Sequence, residues 1–190
     1  SESIPEQHIV SGGVLLFERP ADFGLAVHSH QLPRKTVIPA CDESFDYCLY
    51  YLGEDFTNTN IQSAGIRIEQ RKDLKDQRSC LVTPPRGYLD FQPTIRHDDG
   101  FAISLFEPIQ NAATGSYSLG KVFRLALGSN CFEFETRIGA SQFAFHEEGT
   151  IQEFRMDEWN TLESRLNEVL VAIRLVDRPD AVLFHVPLPN

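Results

Sequence analysis

Features of membrane, metal-binding and nucleic-acid-binding proteins are scarce in this sequence of 190 residues. No run of 18 apolar residues occurs, so we expect no membrane-spanning helix. The four cysteines never form Cys-x-x-Cys, the spacing of zinc knuckles and thioredoxin-type redox sites. Lys and Arg number 17 against 27 Asp and Glu, and the net charge of −10 disfavours a nucleic-acid partner. A protein partner with a basic surface fits this charge better.

Methionine is also scarce, because Met156 is the only one and the sequence begins at Ser1. A removed signal peptide would account for such a start, and so would any other trimming. The composition, 42% apolar and 23% charged, is that of an ordinary globular protein. We therefore predict a single domain over 8–186 after a flexible N-terminal end at 1–7. We predict a periplasmic or secreted location, with the cytoplasm as the alternative.

Hydrophobic periodicity predicts the fold class. Apolar residues alternate with other residues at two-residue spacing in several segments, which indicates strands with one buried face. Segments 44–52 and 64–70 form one predicted hairpin, and segments 122–127 and 131–138 form another. A helix capped by Asp157 is indicated by apolar residues at helical spacing. These residues are Trp159, Leu162, Leu166, Val169, Leu170 and Ile173. The pattern predicts an α+β fold: a largely antiparallel sheet of about 7–9 strands packed by a C-terminal amphipathic helix, with an α-β-α sandwich as one form of it.

The cysteines allow three disulfide pairings, and their even number fits an oxidising compartment. If strands 44–52 and 64–70 pair antiparallel, Cys80 returns towards Cys41, which leaves Cys48 for Cys131. The pairing of Cys41 with Cys48 and of Cys80 with Cys131 is the second candidate. Four buried free thiols in a cytosolic protein are the third interpretation.

Several short segments along the chain form a familiar series. They are Phe45-x-x-Cys48-x-Tyr50, Thr57-Asn-Thr-Asn60 before Ala64-Gly65, and Asn130-Cys131-Phe-Glu-Phe. In this order, and followed by the final amphipathic helix, they resemble Mog1/PsbP-like uncharacterised bacterial exported proteins. The resemblance implies an α-β-α sandwich with a binding or accessory role, and it implies no site residue. That fold has a helix after its early strands, whereas the two prolines within 31–43 disfavour one here.

Two histidines are the best candidates for metal ligands. His28 and His30 are two residues apart on a predicted strand, so both would point to the same face at a separation of about 7 Å. A third ligand would have to come from the turn that contains His97, Asp98 and Asp99. This arrangement gives one enzymatic hypothesis, a metal-dependent hydrolase. The structural alternative is a pair of surface histidines and an ordinary Asp-Gly turn.

Two hydrolase motifs are incomplete. The run His146-Glu147-Glu148 lacks the second histidine of His-Glu-x-x-His, because residue 150 is a threonine. The run Gly115-Ser-Tyr-Ser-Leu-Gly120 fails the Gly-x-Ser-x-Gly spacing by one residue. The sequence therefore predicts no catalytic residue and no cofactor.

One stretch rich in aromatic and amide side chains is the candidate for partner binding. Tyr50, Phe56, Asn58 and Asn60 combine rigid apolar rings with adaptable hydrogen-bonding groups. A sheet face with its turn is the structural alternative. We predict an exported binding or accessory protein without catalytic activity, of the kind that inhibitors and immunity proteins represent. A carrier that holds a small apolar ligand between sheet and helix, or the hydrolase that uses His28 and His30, are the alternatives.

Overall fold

The computed structural model describes residues 6–10 and 12–186, and its main feature is a seven-stranded antiparallel sheet. The strands, in chain order, are β1 Glu6–Ile9, β2 Leu15–Arg19, β3 Phe23–Ala26, β4 Tyr47–Tyr51, β5 Ile61–Gln70, β6 Thr94–Asp98, β7 Phe101–Ala113, β8 Ser116–Leu127, β9 Asn130–Ser141 and β10 Arg174–Leu175. The main sheet has the order β3-β4-β5-β9-β8-β7-β6, and β1, β2 and β10 form a small second sheet. Two α-helices complete the described part, α1 Gln77–Val82 and α2 Met156–Val171.

The central strand β9 gives the main sheet two different faces. Phe132, Phe134 and Ile138 point to one side, where they join the largest hydrophobic cluster together with the apolar residues of α2. Successive side chains of a strand point to opposite faces, so Glu133 and Glu135 point to the other side. Both glutamates are nevertheless buried. We call the first side the helix face and the second the cleft face.

Helix α2 covers the helix face with the apolar stripe that the sequence predicts. Trp159, Leu162 and Leu166 are buried against the sheet. The predicted cap was wrong by two residues: Arg155 is the N-cap, and its N–H donates to the Glu158 carboxylate at 2.7 Å. Asp157 lies in the first turn instead, where its negative charge interacts favourably with the positive end of the helix dipole.

The predicted α+β class, antiparallel sheet and C-terminal helix are confirmed. The two predicted hairpins are β4 with β5 and β8 with β9. In segment 31–43 the chain forms only a 3-10 turn at Pro39–Cys41, preceded by another at Ser29–Gln31, so the helix of Mog1/PsbP-like proteins is missing there. Residues 6 and 7 belong to β1, and 1–5 lie outside the described residues, so the flexible end stays a prediction.

The first-choice disulfide pairing was wrong, and the second is correct. Cys41 is bonded to Cys48 across seven residues, and Cys80 is bonded to Cys131 across 51 residues. The Cα atoms of the two pairs are 6.0 Å and 5.6 Å apart. The error arose because segment 71–82 does not run back along β4. Helix α1 carries Cys80 towards β8 and β9 instead.

We expect the two disulfides to contribute unequally to the free energy of unfolding. Closing the 51-residue loop in the unfolded chain is worth about 4 kcal/mol, and closing the seven-residue loop about 2.5 kcal/mol. The double variant Cys80→Ala/Cys131→Ala should therefore lose more free energy of unfolding than Cys41→Ala/Cys48→Ala, measured by urea denaturation. The unreduced wild-type protein should contain no titratable thiol after denaturation. Free thiols, or the reverse order of the two variants, would contradict the assignment.

Candidate functional site

The cleft face carries an open cleft of about 750 Å³. Its floor is formed by β5, β9, β8 and β7, which contribute Arg67, Glu135, Arg137, Ser118 and Asn111. One wall is segment 37–43, and the opposite wall is segment 85–88. We call this cavity the polar cleft, because its floor consists mainly of charged and hydrogen-bonding side chains.

A single buried carboxylate organises the floor. Glu133, only 1% exposed, accepts hydrogen bonds from Arg67 at 2.5 Å, from Arg71 at 2.7 Å and from Arg124 at 2.7 Å. Burial alone would raise the pKa of Glu133, but the charges of Arg67, Arg124 and Arg71 outweigh it and lower the pKa from 4.5 to about 2. Glu133 is therefore a permanent anion at neutral pH and is unsuited to transfer protons there.

The network continues from Arg67 towards the open part of the cleft. Arg67 also donates to Glu135 and Glu69, each at 2.5 Å. The other oxygen of Glu135 accepts from Nε of Arg137 at 2.6 Å, and Nη1 of Arg137 donates to Ser118 Oγ at 3.0 Å. Burial would lower the pKa of Arg67, but the carboxylates of Glu135 and Glu133 raise it overall. The charged side chains of the floor are thus connected by a continuous network of ion pairs.

The second wall depends on Arg124, which is fully buried. Its guanidinium donates to the main-chain oxygens of Cys80 at 3.1 Å and of Thr83, and it lies 5.0 Å from the centre of the Phe106 ring. These bonds hold the C-terminal end of α1, from which the chain continues into 85–88. The disulfide between Cys80 and Cys131 ties the same helix to β9.

The first wall sits directly on the sheet because two floor positions are glycines. A Cβ atom at Gly65 would lie 2.5 Å from Cγ2 of Ile38, and one at Gly139 would lie 2.9 Å from Cγ of Pro39. The disulfide of Cys41 with Cys48 then ties this wall to β4. Each wall of the polar cleft is therefore fixed to the sheet by its own disulfide.

The rim of the polar cleft exposes apolar side chains. Of the described large hydrophobic residues, Leu89, Val37, Phe145 and Met156 are the most exposed, at 102%, 70%, 67% and 67%. Val37 lines the cleft, and Leu89 follows Tyr88, which also lines it. Phe145 lies against Gly115 at the end of the floor, since a Cβ atom there would be 3.4 Å from its ring. Of these four side chains, Val37 therefore lines the cleft, Phe145 contacts a residue that lines it, and Leu89 is the sequence neighbour of another.

The predicted metal ligands do not come together. His28 and His30 lie outside β3, which ends at Ala26, so the predicted strand geometry was wrong. Their rings stack at 5.5 Å between centroids and are exposed. Asp98 is the last residue of β6 and Asp99 follows it, and β6 is the edge strand opposite to β3, six strand positions away. Within 6–10 and 12–186, no three His, Cys, Asp or Glu side chains are grouped so that they could hold a metal ion.

The predicted partner-binding residues divide into two groups. Phe56 and Asn60 are buried, and Asn60 joins β9 to the start of α2 by donating to Ser141 O at 2.8 Å and accepting from Phe154 N at 2.9 Å. Both residues are therefore parts of the core rather than of a surface. Asn58 is exposed and Tyr50 half-buried, so partner binding by these two stays a prediction.

Ser141 and His146 form a pair that the sequence reasoning missed and that resembles half of a hydrolase triad. Ser141 Oγ lies 2.7 Å from Nε2 of His146. The same hydroxyl is 3.3 Å from the main-chain oxygen of Asn60, and no described carboxylate is bonded to His146. We interpret the pair as a tie that holds the 3-10 turn Phe143–Phe145 against β9.

None of the helices in the described part of the chain has the length and apolar character needed to cross a membrane. No protein-family model matches the sequence. No curated protein matches it either. Among solved structures, the chain is similar to the crystal structure of LpqN, involved in cell envelope biogenesis of Mycobacterium tuberculosis. The two sequences are 16% identical, the match covers 90% of this chain and 89% of that chain, and the TM-score is 0.46. At this level of similarity, neither family nor function is inferred from it.

Glu133 predicts a specific acid sensitivity. Because its pKa in the folded protein lies below its usual 4.5, its stabilising effect is present above pH 4.5 and is lost as the pH falls towards 2. Glu133→Gln should lose about 3–5 kcal/mol at pH 7, since buried Arg124 loses its one ion-pair partner in the described residues and Arg67 and Arg71 each lose one of theirs. The difference in free energy of unfolding between wild type and variant should narrow by roughly 3 kcal/mol between pH 4.5 and pH 2.

Urea titrations at a series of pH values measure this difference. Glu148→Gln is the matched control, because Glu148 is exposed and has no ion pair in the described residues. A constant difference between wild type and Glu133→Gln over this pH range would contradict the assignment, as would an equal effect of the control.

Proposed function

We propose that this chain is an extracytoplasmic binding or accessory protein, without catalytic activity, that recognises a protein partner at the polar cleft. One observation carries the proposal: of the four most exposed large hydrophobic side chains in the described residues, one lines the polar cleft and two are next to residues that line it. They are Val37, Leu89 and Phe145. Single exposed apolar residues are normal on a protein surface, whereas a group around a cavity is typical of an interaction site.

The combination of an apolar rim and a polar floor favours a protein segment as the ligand. The volume of about 750 Å³ lies within the range of about 300–1,000 Å³ that ligand pockets occupy. Such a cleft accommodates a few residues of a partner, whose polar groups would meet Arg137, Ser118 and Asn111. Apolar groups of the partner beside this segment would then cover Val37 and Leu89.

Charge favours a partner with a basic surface. The floor contributes almost no net field, because its arginines are paired with carboxylates. Asp42 lines the cleft, and Glu147 and Glu148 follow Phe145, and none of the three has an ion pair in the described residues. With a net charge of −10, these free carboxylates would steer a cationic protein towards the mouth. An inhibitor-like or immunity-like role, in which the partner is a basic toxin or enzyme, fits this charge.

An extracytoplasmic location is supported by the disulfides. Both fix walls of the polar cleft, and such bonds persist in oxidising compartments. A cytoplasmic location, the alternative, would leave Cys41 and Cys80 reduced and both walls held only by non-covalent contacts.

The other functions are less well supported. The metal-dependent hydrolase needs His28 and His30 together with acids that lie at the opposite sheet edge. A carrier with an interior apolar cavity needs space between α2 and the central strands, where Phe132, Leu162 and Leu166 are packed. We further propose that 8–186 acts as one domain, since one hydrophobic cluster includes both Val10 and Val186. Kinship with Mog1/PsbP-like proteins remains a hypothesis that rests on the order of elements.

Site-specific photo-crosslinking tests the proposal. A photoreactive amino acid at position 89 or 37 should capture a discrete partner in the producing cells, whereas the same amino acid at position 176 should not. Val176 is the matched control, because it is 45% exposed and does not line the cleft. With the purified partner, Leu89→Asp and Val37→Asp should each weaken binding about tenfold or more, measured by calorimetry.

The control variant Val176→Asp should bind with unchanged affinity. The proposal is wrong if the rim variants bind the partner as tightly as the wild type, or if Val176→Asp weakens binding equally. A reaction catalysed by the purified chain on its partner would contradict the non-catalytic role.

A further inference from the structure

Strand β7 leaves part of its length without a second neighbouring strand. It runs from Phe101 to Ala113, but β6 pairs only with residues 101–105. Residues 109–113 pair with β8 on one side, and no described strand pairs with them on the other. We call 109–113 the open edge. It borders the polar cleft, because Gln110, Asn111 and Ala113 are among the residues that line this cleft.

The hydroxyl of Tyr88 occupies the position of a strand partner at Gln110. It accepts a hydrogen bond from the main-chain N–H of Gln110 at 2.9 Å and donates one to the main-chain oxygen of the same residue at 2.5 Å. In an antiparallel pair, a residue of the neighbouring strand exchanges the same two bonds. The ring of Tyr88 packs on Phe91, with 5.7 Å between the ring centroids. One side chain therefore stands where the main chain of another strand would lie.

The next outward position of the open edge, Ala112, has no such cover. Main-chain groups of a strand point alternately to its two neighbours, so those of Ala112 point to the same side as those of Gln110. Among residues 6–10 and 12–186, none forms a main-chain hydrogen bond with Ala112 on that side. Sheet edges are commonly protected by charged residues or proline, and the open edge contains neither.

We propose that the open edge of β7 binds an extended segment of the partner protein as an added β-strand. The segment would exchange two main-chain hydrogen bonds with Ala112 and, once Tyr88 swings away, two more with Gln110. Outward residues of a strand are about 6.8 Å apart, a spacing that an extended main chain matches. This inference rests on the proposed function, since it states how a protein partner is held beside the polar cleft.

Charge favours a basic partner segment over a second copy of this chain. Asp42 lines the same cleft, and Glu107, which is 53% exposed, lies two residues before the open edge. Two copies would each bring a net charge of −10 to the contact, and this repulsion opposes edge-to-edge pairing. Lysine or arginine side chains on the added strand would instead be attracted by the same carboxylates.

A short peptide tests main-chain pairing directly. The probe is acetyl-Lys-Thr-Val-Thr-Lys-amide, which is basic and has residues that favour strands. Added to isotope-labelled protein, it should shift the amide NMR signals of Ala112 and Gln110, with a Kd of about 1 mM or below. The same peptide methylated on the main-chain nitrogens of its three central residues should bind about tenfold more weakly, because it lacks these donors. Replacement of both lysines by glutamate should also weaken binding.

Variants at position 112 then assign the contact. Ala112→Pro removes the outward N–H and leaves the bonds to β8, which belong to Asn111 and Ala113, in place. It should bind the peptide about tenfold more weakly. Ala112→Ser is the matched control, because it keeps the N–H, and it should bind like the wild type. Thermal unfolding verifies that each variant is folded, and the methylated peptide decides with the wild-type protein if Ala112→Pro is not.

The role of the Tyr88 hydroxyl is tested by its removal. Tyr88→Phe should bind the peptide about threefold to tenfold more tightly, because no hydroxyl competes for Gln110. Tyr51→Phe is the matched control, since it removes a hydroxyl that is bonded to Asp55 and does not line the cleft. Its affinity for the peptide should equal that of the wild type.

The proposal is overturned if the peptide does not shift the Ala112 signal, if methylated and unmethylated peptides bind equally, or if folded Ala112→Pro binds like the wild type. A dimer in sedimentation that Ala112→Pro dissociates would also overturn it, because a second copy would then occupy the open edge. Crosslinking at positions 37 and 89 tests the proposed function separately. A partner captured there by a protein that binds no peptide at Ala112 would refute strand addition alone.

Discussion

The carboxylate of Glu133 is the group on which the cleft side of the molecule depends. A sheet residue buried on this face would ordinarily be apolar, but here one anion holds three arginines that come from β5, from the segment after β5 and from β8. Each guanidinium would be costly to bury alone, and the carboxylate would be costly to bury without them. Together they form a polar centre on this face, beside two smaller hydrophobic clusters that contain the disulfides. The segment after β5 supplies Arg71 to Glu133, and the end of α1 accepts a hydrogen bond from Arg124. The segments that cover this face are therefore held to the sheet through Glu133 and its arginines.

The same network prepares the polar cleft for binding. Arg124 donates hydrogen bonds to the Glu133 carboxylate and to main-chain oxygens at the end of α1. One guanidinium therefore connects the floor with one wall. The disulfide at Cys80 fixes the same element covalently. A site held in this way loses little conformational entropy when a partner binds, which is the main energetic advantage of pre-organised interfaces. The glycine at position 65 contributes by allowing Ile38 to approach the sheet.

Sequence periodicity predicted the elements that depend on local pattern. It did not predict the contacts between residues that are distant in the chain. The hairpins β4–β5 and β8–β9 and the stripe of α2 follow directly from two-residue and 3.6-residue spacing. Alternation in β9 indicates one polar face, which is usually solvated in an antiparallel sheet. In β9 the polar face is buried instead. Glu133 is paired with Arg67, which lies 66 residues earlier in the chain, and no local sequence pattern connects the two residues. The polar cleft could therefore not be found from the sequence.

The charged residues of the chain divide into a neutral network on the cleft face and an acidic remainder. Five arginines on the cleft face, Arg67, Arg71, Arg86, Arg124 and Arg137, are paired with five carboxylates, Glu43, Glu69, Asp73, Glu133 and Glu135. This network has no net charge, so the −10 of the chain belongs entirely to residues outside it. An anionic ligand must therefore approach a negative protein. A cationic protein meets no such obstacle. The buried ion pairs therefore fix the shape of the cleft, while the residues outside them set the sign of the charge that a partner meets.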